Sequence, residues 1–282
     1  MIITAFGLDI AGYSTGKSTL VRADVVNANT VSATLFRGHV YGEKIDGCRL
    51  LSPCTARETE LVRACCEKAK LVVDIPIDLQ DLIETKDPQF VWQLTKRPVD
   101  FVFDGLPPLA DRLGSPVARF KNIMRSISET MLGLSIFETY PAASVELWKL
   151  DRHYKGGLAV FQNGSWSGDN DEKKNSHIAQ IANHMRIVAD EDYKIDDDVL
   201  DALICAVTGV LPTKWLLQEI GLEEEVETLL TKKLKKVGYR SMRNTVPRGY
   251  VLINALPKDL SIELSVKHLD TSEQIFEALQ IV

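Results

Sequence analysis

Hydrophobic positions along the chain fall first into a period of two. Ile2 to Ala11 is an apolar run interrupted by Asp9, Thr19 to Val26 is rich in β-branched residues, and Thr30 to Phe36 alternates. Short Gly, Asn and Ser segments separate them, so three hairpin-connected strands are expected over the first 40 residues. Thr55-Ala-Arg-Glu58 is a capping-box pattern and predicts a helix to about Lys68. Leu71-Val-Val-Asp74 reads as a buried strand stopped by Pro76. Ser115-Pro116 reads as an N-cap followed by proline at the first helical position, with Gly133 as the stop. Leu134 to Tyr140 is the next strand, and residues 155–175 look like an exposed loop. Helices are expected over about Lys174–Val188 and Asp197–Leu211, with Pro212 as a break. The last 70 residues read as mostly helical, with a strand at Tyr250 to Ile253. Strands followed by alternating helices and strands make an α/β pattern with a mixed sheet.

Carboxylates interrupt this pattern where charge is least expected. Asp9 lies inside an apolar strand, Asp74 ends one, and Glu138 sits within Ile136-Phe137-Glu138. An isolated charge in a strand interior is costly unless paired. Asp198 and Asp201, three apart, share a face of the late apolar helix. Asp190, Glu191, Asp192, Asp196, Asp197, Asp198 and Asp201 crowd seven acids into twelve residues, opposed only by Lys194. Taken singly, each acid has a structural reading. Asp196 or Asp197 suits the helix N-cap, Asp78 a short helix, and Asp74 a turn before Pro76. Together, three strand acids and a helical Asp-x-x-Asp call for a shared divalent cation, Mg²⁺ or Mn²⁺, since carboxylates suit hard cations. The candidate metal ligands and catalytic residues are therefore Asp9, Asp74, Glu138, Asp198 and Asp201.

These motifs in order are similar to a known pattern. Three hairpin strands with Asp on the first, an acid on the fourth and acids on a late helix resemble the ribonuclease H fold. Asp198-Val-Leu-Asp201-Ala-Leu-Ile-Cys-Ala-Val-Thr resembles the metal-binding helix of Holliday-junction resolvases in that superfamily. Gly7-Leu-Asp9, Val73-Asp74-Ile-Pro-Ile77, Arg97-Pro-Val-Asp100, Phe137-Glu138-Thr-Tyr-Pro-Ala142 and Asp197-Asp-Val-Leu-Asp-Ala-Leu203 resemble domain-of-unknown-function family 429, ribonuclease-H-like proteins predicted to be nucleases. The resemblance covers roughly residues 1–211. It implies an α/β, ribonuclease H-like fold, with a mixed five-stranded sheet in order 3-2-1-4-5 flanked by helices. Residues 212–282 would form a mainly helical C-terminal extension on the same domain. It also implies that the five acids converge at one end of the central strands. Pro76 and Ile77 stand where related sites carry an acid, which leaves two roles for Glu138: metal ligand, or a group that orients another. Such a site would hold two ions about 4 Å apart on a scissile phosphate, one activating water and one stabilising the leaving oxygen. The expected function is hydrolysis of DNA or RNA. Resolvases of this superfamily act as dimers, so a homodimer is compatible.

Other signals compete with this one. Ala11-Gly-Tyr-Ser-Thr-Gly16-Lys17-Ser18 approaches a phosphate-binding loop, but such a loop must open a helix and Thr19 onward reads as a strand. Asp9-Ile-Ala-Gly12-Tyr-Ser14-Thr15 resembles the phosphate loop of actin-like ATPases, which need a second such domain. A nucleotide-binding ATPase, or a noncatalytic metal- or nucleotide-binding module on the same fold, is thus the alternative. His177 and His184 lack further ligands at zinc spacing and are expected on a helix surface. Trp148, Trp166 and Trp215 read as packing residues.

Composition adjusts the picture. The 282 residues carry 33 Lys plus Arg against 39 Asp plus Glu, a net charge of −6, and mean hydropathy is −0.04. These values exclude a disordered or collagenous chain and a uniformly basic nucleic-acid coat. The basic residues instead concentrate in 232–248. Lys232, Lys233, Lys235, Lys236 and Arg240, with Lys17 on the first hairpin, are the candidate nucleic-acid contacts, against the simpler reading of a solvated helix. The five cysteines form no C-x-x-C pair, which suits reduced thiols. The first residues lack a basic leader and no 18-residue apolar span occurs, so a cytoplasmic protein without a membrane segment is expected.

Overall fold

The computed structural model describes residues 3–10, 18–38, 56–77, 79, 95–97, 100, 103–127, 131–212, 216, 251–269, 274, 277 and 279. Its main sheet is built from β1 (Thr4–Asp9), β2 (Thr19–Asn27), β3 (Thr30–Gly38), β4 (Lys70–Val73), β5 (Ile136–Thr139), β8 (Ile187–Val188), β10 (Val251–Leu252) and β11 (Ser261–Leu269). The strand order is β10-β5-β4-β1-β2-β3-β11-β8. The first three strands are antiparallel neighbours, and β4 and β5 run parallel to β1. A second sheet, β7-β6-β9, is formed by β6 (Leu158–Gln162), β7 (Ser165–Gly168) and β9 (Lys194–Asp196). The described helices are α1 (Ala56–Lys68), α2 (Asp111–Ile127), α3 (Pro141–Leu147), α4 (Lys173–His184) and α5 (Asp197–Val210). The protein is therefore α/β with a mixed multi-stranded sheet.

Strand parity sets the two cores. Phe6, Leu8, Leu71, Val73 and Ile136 point to the face covered by α1 and α2, with Val62, Phe120 and Ile123. Ala5, Val72 and Phe137 point to the opposite face, against α5. Alternation of this kind is what a sheet covered on both sides requires.

α5 is buried along its whole length from Val199 to Val210, and it lies very close to β1. A Cβ on Gly7 would stand 2.0 Å from the Ala202 carbonyl oxygen and 2.3 Å from the Ala206 nitrogen. Only glycine lets helix and strand backbones approach this far.

Several expectations change. Residues 155–175 are not a loop: they hold β6 and β7, joined at Asn163-Gly164, both at positive φ (53° and 77°), as a tight hairpin turn requires. α2 begins at Asp111, and Pro116 lies inside it. The helix expected to reach Val188 ends at His184, Arg186 takes a positive φ of 51°, and β8 follows. The strand expected near residues 250–253 is β10. β11, however, replaces expected helix with nine residues of strand paired to β3. Among the described residues the main sheet accordingly has eight strands, not five: β10, β11 and β8 extend the 3-2-1-4-5 core at its two edges. Residues 217–250, with Lys232, Lys233, Lys235, Lys236 and Arg240, lie outside the described residues, as do Lys17, Asp78 and Trp215.

Candidate functional site

The site begins with the end of β1. Asp9 is the last residue of that strand, and the Asp74 backbone N–H donates to the Leu8 carbonyl at 3.2 Å, just past the end of β4. The parallel register Gly7↔Val72 gives Asp9 and Asp74 the same parity, so both carboxylates face α5. α5 starts directly opposite. Asp196 is its N-cap, and its carboxylate accepts from the Val199 N–H at 3.0 Å, so this acid is a cap as expected. Asp198 lies in the first turn, and Asp201, one turn further in, is fully buried. The close seam at Gly7 is what lets a carboxylate on α5 meet one on β1.

The segment between α3 and β6 closes the site. β6 pairs with β9 through Leu158↔Asp196, which brings residues 151–157 beside the start of α5. The buried Tyr154 hydroxyl donates to Asp201 Oδ1 at 2.6 Å. The Lys155 ammonium donates to Asp201 Oδ2 and stands 3.9 Å from Asp74 Oδ2. Gly157 makes the turn possible, since a Cβ there would sit 2.6 Å from the Lys174 carbonyl oxygen.

Electrostatics follow from this crowding. Burial is the main force pushing the Asp9, Asp74 and Asp201 carboxyls above their usual range. Asp201 raises Asp9 and Asp74 further, while Lys155 pulls all three down without restoring them. Asp198 is raised by burial and by Asp197 and Asp196. Burial opposes the charge on Lys155, but Asp201, Asp74 and Asp9 outweigh it and hold its ammonium well above the usual lysine value.

Glu138 belongs elsewhere. Its register partner is Val73, so it shares the parity of Leu8 and points to the opposite face from Asp9 and Asp74. There Arg97 grips it through Nη2 to Oε1 at 2.6 Å and Nη1 to Oε2 at 2.8 Å, and the Ile77 N–H adds a bond to Oε2 at 3.0 Å. Arg97 also binds Asp100 through Nε at 2.9 Å and Nη2 at 2.8 Å. All three side chains are buried. Both Glu138 oxygens are thus engaged by Arg97, and Oε2 also by the Ile77 N–H. A small cleft lined by Asp74, Arg97, Glu138 and Tyr140 joins the two networks.

The structure therefore brings Asp9, Asp74, Asp198 and Asp201 together, and sets Glu138 in an adjacent ion-pair network. Among the described residues no three His, Cys, Asp or Glu side chains form a ready-made metal cage. What the aspartates close on is the Lys155 ammonium. Nothing in the sequence marks Tyr154 and Lys155, which lie in a Gly- and Lys-containing stretch that resembles surface loop. His177 is buried, with Nδ1 3.1 Å from the His153 carbonyl oxygen, and only His184 of the pair is exposed, stacked on Trp148. Trp148 and Trp166 are packing residues whose indole N–H groups bond the Asn254 and Ile187 carbonyls. Cys65, Cys66 and Cys205 are buried thiols. Thr19–Asn27 is a strand, which removes the helix that a phosphate-binding loop at Gly16-Lys17-Ser18 requires. No helix among the described residues is long and apolar enough to cross a membrane. Comparison of the chain with protein-family models, curated proteins and solved structures finds no match in any of the three.

Proposed function

We propose that the protein is a divalent-metal-dependent nuclease, with Asp9, Asp74, Asp198 and Asp201 as the cation-binding carboxylates. The observation that carries this reading is the convergence of these acids from two strand ends and a helix N-terminus onto one positive charge. The buried Asp201 and the half-buried Asp9 and Asp74 share the Lys155 ammonium, which leaves excess negative charge in a largely desolvated place. A hard divalent cation is the ligand that such a donor set fits, and the ammonium is its stand-in. The strand order β3-β2-β1-β4-β5 supports a ribonuclease H-like arrangement for residues 1–211, extended by strands from residues 212–282.

Bound Mg²⁺ or Mn²⁺ would supply Lewis acidity toward a phosphodiester and lower the pKa of a coordinated water. The chain's own residues prepare the seat. Asp9 and Asp74 are fixed by strand pairing, Asp201 by the Tyr154 hydroxyl, and Asp198 by the first turn of α5, whose N-terminus favours anions nearby. Arg97 and Glu138 brace the backbone after β4 through the Ile77 N–H, and so hold Asp74 in place.

The test is incubation with labelled single-stranded, double-stranded, hybrid and branched nucleic acids, with and without Mn²⁺. Cleavage should require the ion and should be lost in Asp9→Asn and in Asp201→Asn. Metal-independent cleavage, or cleavage that survives in either variant, would remove the reading.

A further inference from the structure

Among the described residues Lys155 is the cation that reaches the four aspartates, and its placement differs from theirs. Its side chain is 57% exposed while that of Asp201 is 0% exposed. The stem therefore runs along the surface, and only the ammonium dips into the cluster. Gly156, at a φ of +72°, and Gly157 follow it, so the backbone beside Lys155 carries no side chains to hold it. The two oxygens of Asp201 are divided between unlike partners. Oδ1 is held by Tyr154, which is fully buried, and Oδ2 by Lys155, which is not. Withdrawal of the lysine would free Oδ2, and the approach to Asp74 Oδ2 at 3.9 Å, while Tyr154 keeps Asp201 in position.

We propose that Lys155 is a displaceable internal cation that occupies the metal seat of the free protein and leaves it when a divalent ion binds. The inference rests on the metal-binding reading above and adds a regulation of that site. An ammonium and a divalent ion cannot share the same carboxylate oxygens without strong repulsion. The lysine thus sets a threshold of metal concentration below which the site stays closed. Once released, its ammonium stays within a stem's length of the seat, on the solvent side, where an anionic backbone would approach.

The test is Mn²⁺ titration by calorimetry on the full chain, at fixed pH and ionic strength. Lys155→Met should bind Mn²⁺ about tenfold or more tightly than the wild type, the smallest gain expected from vacating a close ion pair. Lys155→Arg should not gain. On the unmodified protein, Mg²⁺ should move the Lys155 Nζ resonance to the position of an exposed lysine, a readout that does not depend on the folding of any variant. Equal or weaker Mn²⁺ binding by Lys155→Met, or an Nζ resonance unmoved by saturating Mg²⁺, overturns the inference while leaving the metal site standing. Failure of both the wild type and Lys155→Met to bind Mn²⁺ overturns the inference together with the metal-binding reading.

Discussion

Replacing Arg97 with methionine separates the ion-pair network from the cation seat. The side chain keeps most of its length but loses its charge and donors. Glu138 loses bonds of 2.6 and 2.8 Å, and Asp100 loses bonds of 2.9 and 2.8 Å. Both carboxylates are almost fully buried, Glu138 2% and Asp100 4% exposed, so water cannot replace the guanidinium. Removing one partner of a buried pair costs about 3–5 kcal/mol. At about 2–4 °C per kcal/mol for a chain of this size, the thermal midpoint should fall by about 6–20 °C. The sign of the pH dependence is also fixed. Burial already raises Glu138 above 4.5, and Arg97 is the main group holding it down. Without Arg97 the folded-state value rises further, and a raised carboxyl contributes stability that is present below 4.5 and lost as pH climbs. The deficit of Arg97→Met should therefore be smaller at pH 4 than at pH 7, measured by calorimetry or urea unfolding at both. A loss under about 1 kcal/mol at pH 7, far below that of a broken buried pair, or a deficit that grows toward acid pH, would refute this account of the network.

Three further outcomes follow from the same geometry. Gly7→Ala should destabilise by about 3 kcal/mol or more in urea unfolding, because the new Cβ meets helix backbone. Gly209→Ala, whose Cβ would meet the Ala5 side chain at 2.6 Å, should be the milder of the two. Tyr154→Phe should cost about 1–3 kcal/mol for the lost buried bond, and should raise the Asp201 carboxyl, followed by carboxyl NMR, since that bond holds it down. Asp9, Asp74 and Asp201 titrate above 3.8, so their contribution to stability is greatest below 3.8 and falls as pH rises through the raised values. Saturating Mn²⁺ should accordingly raise the thermal midpoint more at pH 7 than at pH 5.

Much of the scaffold was legible because its signals are local. The hairpin strands, β4, β5 and α5 appear where alternation, Pro stops and the Asp196 cap put them. The convergence of Asp9, Asp74, Asp198 and Asp201 was legible because charge inside an apolar strand needs a reason. The placement of Glu138 was not legible because it depends on register: Val73↔Glu138 puts it on the opposite face from Asp74, and no single strand contains that fact. β11 was legible in principle, since Ile262 and Leu264 alternate with Glu263 and Ser265, but the surrounding Lys and Glu gave the tail a helical look. The β6–β7 hairpin hid in polar residues, although Asn163-Gly164 is its turn signal. Lys155 could not be found at all without the fold, since only the pairing of β6 with β9 carries it to α5.

The central claim is that the aspartates, and not Glu138, form a divalent-cation seat. Calorimetric titration of Mn²⁺ into the wild type, Asp201→Asn and Glu138→Gln tests it most directly. Saturable binding by the wild type and by folded Glu138→Gln, with binding lost in Asp201→Asn, is the predicted result. Binding that survives in Asp201→Asn, or that disappears in folded Glu138→Gln, would contradict it.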